Sequence, residues 1–107
     1  PMASISTRVS QYYSELAQQL LDAGSVTEVR PLLQNAFRAD GRCVRASLLE
    51  ARLALLEQDH RAALRSFLRI IDQDLHFLPV VIDSILELYG RLGDFFGRET
   101  FLNRLLQ

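Results

Sequence analysis

Three short interruptions recur along this chain at nearly constant spacing, and they constrain its fold more than any other feature. Gly24-Ser25, Gln58-Asp59 and Gly93-Asp94 each separate two apolar runs, and the intervals between them are 34 and 35 residues. The runs have helical period. Tyr13, Leu16, Ala17, Leu20 and Leu21 share one helical face, as do Leu49, Leu53 and Leu56, and again Ile82, Ile85, Leu86 and Tyr89. No stretch sustains the alternation of a strand. Further breaks at Asp40-Gly41 and at Asp74, ahead of Pro79, cut the chain into six segments of helical length, paired as helix, turn, helix. Each pair can bury its apolar face only by stacking on the next pair.

The turns carry their own chemistry. Ser25 with Glu28 reads as a capping box, each side chain reaching the other residue's backbone N–H. Asp59 and Asp94 stand where an N-cap carboxylate accepts from exposed N–H groups. Pro79 suits the first turn of a helix, which needs no N–H from it. Pro31 falls inside the segment opened by Ser25, so an irregularity is expected there.

With the three interruptions aligned, Ala17, Ala51 and Leu86 fall in register on the first helices. On the second helices Val29 with Leu33 matches Ala63 with Phe67 and Arg98 with Leu102, followed by Ala36, Ile70 and Leu105. Small residues at such positions let two helices approach, and large ones fill the groove beside them. This pattern resembles the tetratricopeptide repeat. The fold expected is all-α: helix–turn–helix repeats over about 10–43, 44–77 and 78–107, stacked as a right-handed superhelix, the last imperfect. The chain departs from the motif in three places. Tyr13, Ser47 and Ile82 stand at its usual aromatic position, Gly41 and Leu75 replace its closing proline, and Arg98 replaces an alanine. Phe37, Phe67, Tyr89 and Phe101 read as core.

Composition removes several functions. Twelve basic against thirteen acidic residues leave a formal charge of −1 and a pI near 6.1, without the basic excess of a nucleic-acid binder. An apolar content of 49% argues against disorder. No run approaches the roughly 20 apolar residues of a membrane span. The opening "PMASISTRVSQYY" lacks a charged start followed by an apolar run, and its initial Pro1 reads as a processed or excised chain. Single Cys43 forms no internal disulfide, and it packs more simply as a small residue at a repeat junction than as a redox thiol beside Arg42 and Arg45. His60, His76 and Cys43 lack metal-ligand spacing, no glycine loop cradles a phosphate, and no acid–base couple stands out. The expectation is no enzyme activity, no metal and no cofactor.

A narrower resemblance runs through "YYSELAQQ", "RCVRAS" (Arg42 to Ser47), "IIDQD" (Ile70 to Asp74) and "FLNRL" (Phe101 to Leu105). These are similar to the lipopolysaccharide assembly protein B family of Gram-negative bacteria, covering a middle part of its members. The resemblance implies an adaptor on the cytoplasmic side of the inner membrane. Its implied partners are a membrane-bound ATP-dependent protease and the deacetylase of lipid A synthesis. The family's membrane anchor and zinc domain have no counterpart in this sequence. Two other readings stay open: a generic repeat adaptor in envelope assembly or secretion, and a non-catalytic domain of a larger enzyme.

Register with the repeat family also implies a concave protein-binding face on the first helices. It carries Gln11, Ser14, Gln18, Arg45, Leu48, Arg52, Leu55, Asp83, Glu87 and Arg91. Ser14 and Gln18 occupy places where repeats that hold a terminal carboxylate have Lys and Asn, so that activity is not expected. Apolar edges around Phe95, Phe101 and Leu105 are expected to be open to self-association.

Overall fold

The computed structural model describes residues 4–107; Pro1 lies outside them. Six α-helices follow one another as three hairpins: α1 (Ile5–Asp22) with α2 (Val29–Ala39), α3 (Val44–Leu56) with α4 (His60–Gln73), and α5 (Leu78–Leu92) with α6 (Phe95–Leu105). Short 3-10 turns, Val26–Glu28 and Leu75–Phe77, lead into α2 and α5. No helix among the described residues is long and apolar enough to cross a membrane.

The three interruptions close their hairpins in one way. Gly24, Gln58 and Gly93 are left-handed, with φ of 80°, 58° and 68°. In each, that residue's N–H reaches back three residues and the next N–H reaches back five: Gly24 to Leu21 and Ser25 to Leu20, Gln58 to Leu55 and Asp59 to Ala54, Gly93 to Gly90 and Asp94 to Tyr89. This is the Schellman arrangement, which satisfies the last carbonyls of a helix. Gln58 holds that backbone without glycine's freedom.

Asp59 accepts from the Ala62 N–H at 3.1 Å and Asp94 from that of Gly97 at 2.9 Å, as the sequence predicts. The capping box does not form, for Ser25 makes no side-chain cap bond. The 3-10 turn intervenes and α2 restarts at Val29, which puts Pro31 in its first turn, where no N–H is needed. The irregularity expected at Pro31 lies instead ahead of it, in that turn, and α2 runs through Pro31 without a break. Pro79 lies in the first turn of α5.

Two buried clusters meet on α3. Ala46, Leu49 and Leu53 pack with Ala17, Leu21, Val29, Leu33 and Ala36, while Ala51 and Ala54 pack with Ala63, Phe67, Ile70, Val81 and Ile85. Each buried Leu, Ile or Val contributes roughly 1.5–3 kcal/mol. Small side chains, Ser14 and Ala17 against Ala46 and Ser47, let α1 and α3 approach. The junction is tied by polar bonds. Ser47 donates to Gln73 Oε1 at 2.9 Å, Gln73 donates to the Gly41 carbonyl at 3.0 Å, and Arg42 donates to the Asp72 and Gln73 carbonyls that end α4.

The third hairpin departs from the register. Ile85 is buried and its aligned neighbour Leu86 only partly so. Arg98 stacks over Phe95 at 5.0 Å instead of entering a helix contact. Phe67, Tyr89 and Phe101 are buried, and Phe37 is half-buried beneath the Arg69 guanidinium at 5.1 Å. Phe101 is therefore a core residue, as its core reading expects, and only its remaining surface lines the apolar groove between α4 and α6. It packs on Tyr89 at 6.1 Å, and Phe96, 84% exposed, stands outward instead.

Candidate protein-binding face

The first helices α1, α3 and α5 carry the residues expected to meet a partner, and the structure divides them into a seam and a pocket. The seam joins α1 to α3. Arg45 donates to the Glu15 carboxylate and to Gln18 Oε1 at 2.6 Å, and Arg52 pairs with Asp22 at 2.7 Å. Glu15 and Asp22 are seven residues apart on α1, as are Arg45 and Arg52 on α3. Two helical turns separate each pair, so the helices meet as two ionic rungs. The hydrogen bond from Arg45, and then its charge, hold the Glu15 carboxyl below its usual range. Gln11 is exposed beside this seam, its Nε2 4.0 Å from Cys43 Sγ.

The pocket lies where α3 ends, α4 begins and α5 passes. Leu55, Glu87 and Arg91 line it with Gln58, His60, Phe67, Ser84 and Leu88, around a volume of about 440 Å³. Its floor is apolar, from Phe67 and Leu88, and Leu55 stands 42% exposed at its edge. Glu87 accepts from Arg91 Nε at 3.1 Å across one turn of α5. A small apolar floor beneath the polar side chains of Gln58, His60, Ser84, Glu87 and Arg91 suits one apolar side chain of a partner, its neighbours bonding the rim. Asp83 is exposed on the same helix.

Two of the expected face residues are placed otherwise. Ser14 is fully buried, donating to the Ser10 carbonyl at 2.9 Å and lying 3.6 Å from Cys43 Sγ. The close approach of α1 to α3 covers it, and it offers nothing to a partner. Leu48 is partly buried against the core. Conversely, Glu15 and Asp22, and the rim groups Gln58, His60 and Ser84, escape sequence reasoning. The matched seven-residue spacings carried the signal for the first two; no comparable signal marks the rim.

Among the described residues no group of three or more His, Cys, Asp or Glu could hold a metal. His76 is exposed and bonds Asp74 at 2.9 Å, and Cys43 is buried between α1 and α3. A second, smaller slot of about 200 Å³ between α2, α3 and α4 is lined by two ion pairs, Arg30 with Glu57 and Arg69 with Glu50, and also by Asp59 and Arg65.

Three helix hairpins repeating at 34–35 residues, each closed by the same left-handed turn, make this an all-α chain of tetratricopeptide type. Along nearly its whole length it is similar to lipopolysaccharide assembly protein B. The protein of that name from Haemophilus influenzae is 31% identical over 96 residues, which cover 90% of this chain and 24% of that protein. The one from Escherichia coli K12 is 24% identical over 99 residues, 92% of this chain and 25% of that protein. The chain thus spans about a quarter of the length of the curated relatives it matches. No protein-family model matches it.

Proposed function

We propose that this chain is a repeat segment of a scaffold that serves lipopolysaccharide assembly by holding partner proteins, without itself catalysing a reaction. The observation that carries the reading is the similarity over nine-tenths of the chain to proteins named for that process. The first-helix face supports it: the ionic seam lines the α1–α3 junction, and the pocket at Leu55, Glu87 and Arg91 offers an anchor with a polar rim. In the finer form of this proposal, the scaffold works on the cytoplasmic side of the inner membrane. It brings the deacetylase of lipid A synthesis to a membrane-bound ATP-dependent protease.

A photoreactive amino acid placed at Leu55 in the native protein tests this in the bacterium that encodes it. The expected result is a covalent adduct with a protein of lipid A synthesis or turnover, suppressed by Arg91→Glu. Adducts that form equally from a control position on α2, such as Gln34, would remove the face from the account.

A further inference from the structure

The second helices carry a surface of different character from the first. On α2, α4 and α6 there are seven arginines and only two acids, Asp72 and Glu99, a net charge of +5. On α1, α3 and α5 there are four arginines and five acids. Arg30 and Arg69 are paired with acids of α3 and its turn, but Arg61, Arg65 and Arg104 have no carboxylate partner among the described residues. The second helices thus hold these three arginines without a carboxylate partner along their length, while the acids Glu28, Asp40, Asp59, Asp74 and Asp94 sit at their ends.

Their surface contains an open apolar groove. Between α4 and α6, Leu68, Ile71, Leu75, Phe96, Phe101 and Leu105 surround a volume of about 550 Å³. Four residues before each hairpin turn, the second repeat has Ala54 and the third has Tyr89. Ala54 forms the floor of the narrow slot between α2 and α4, whereas Tyr89, with Phe101 packed on it, forms the floor between α4 and α6. The groove with the bulkier floor is also the larger of the two, about 550 Å³ against about 200 Å³. Arg104 stands on the groove wall, and Arg65 lies one turn from Leu68 along α4. Asp72 is the one acid in the lining.

We propose that this groove docks an amphipathic helix of a partner protein, its apolar stripe between α4 and α6 and acidic residues along its flanks facing Arg65 and Arg104. A trough between two helices receives the ridge of a third, and the cationic border selects the sign of the flanking charge. A second copy of the chain fits less well. Its exposed stripe, Ile5, Val9 and Tyr12 on α1, is accompanied by Arg8, which repeats the charge of the groove's border. An anionic membrane fits less well too, because Leu68 and Phe101 lie within a trough that a flat surface does not enter.

The test is a titration of the isotopically labelled protein with a synthetic helical peptide bearing leucines at i, i+3, i+4 and i+7 and glutamates on the flanks. A twin peptide with lysines for glutamates and vesicles of phosphatidylglycerol serve as the other probes. The acidic peptide is expected to shift the amide resonances of Leu75, Phe96 and Thr100. It should bind roughly tenfold or more tightly than its twin, and weaken with salt. Phe96→Ser, at a largely exposed position, and the pair Arg65→Glu with Arg104→Glu should each weaken binding by about tenfold while leaving the circular dichroism unchanged. Equal binding of both peptides, or no shift at groove residues, overturns the proposal. So does association with vesicles, or dimerisation through the groove, in place of peptide binding.

Discussion

The left-handed residue that closes each hairpin gives a pair of opposed substitutions. Gly93 sits at φ 68°, and a Cβ built there meets nothing within 4 Å, so Gly93→Ala alters backbone preference without a clash. An L-residue in the left-handed region costs about 1–2 kcal/mol, and the reduced freedom of the unfolded chain returns about 0.4–1. The net expectation is a loss of about 1 kcal/mol. Gln58 already bears that cost at φ 58°, so Gln58→Gly should gain about as much. At an unfolding entropy near 2.1 cal/mol/K per residue, 1 kcal/mol corresponds to about 4 °C in Tm for a chain of this length. Urea titration and thermal melts of the two variants and their double mutant provide the assay, with the double mutant close to wild type. Loss of stability in Gln58→Gly, or a neutral Gly93→Ala, would show that these turns are not equivalent and refute the reasoning.

Three further outcomes follow from the packing and the charges. Phe67→Ala should cost roughly 3–5 kcal/mol by cavity formation; an unchanged denaturant midpoint would show that Phe67 is not the core residue that closes the pocket floor. The exposed pair Arg52–Asp22 should show a coupling of about 1 kcal/mol or less in a double-mutant cycle, reduced by salt; Arg52→Glu, which sets like charges together, should cost a similar amount. Glu15 is held below the ordinary carboxylate range by Arg45, and Asp74 by the backbone N–H and then the ring of His76. Groups with depressed folded pKa contribute stability that is present above their unfolded values, near 4, and lost as pH falls through the folded ones. The acid limb of stability against pH should therefore become shallower in Glu15→Gln, and an unaltered limb would count against the Arg45 contact.

Much of this architecture is legible in the residues, because the period is written in strong local signals. Gly24 and Gly93 mark the turns directly, Gln58 by register, and Asp59 and Asp94 cap the helices that follow. What escapes depends on how hairpins meet. The Ser25–Glu28 spacing fits a capping box, yet a 3-10 turn takes those residues, a competition between local bonds that spacing alone does not decide. Ser14 reads as a face residue by register with the repeat family, but α1 approaches α3 closely enough to bury it. Phe101 reads both as core and as edge, and the core reading prevails because Tyr89 offers it a ring. The face itself was half legible: matched spacings of Glu15 with Asp22 and Arg45 with Arg52 encode the seam, while the pocket gathers Leu55, His60 and Ser84 from three helices.

The most direct test of the functional account is the ratio of lipopolysaccharide to phospholipid in the bacterium that encodes this protein. The measurement is made with Leu55→Glu and Arg91→Glu introduced together into the native gene, and with protein level and helicity verified. The pocket reading expects the ratio to move to that of a strain lacking the protein, while the control Gln34→Ala on α2 leaves it at the wild-type value. A ratio unchanged by the pocket substitutions, with the protein folded and present at normal abundance, would contradict the claim that this face serves lipopolysaccharide assembly.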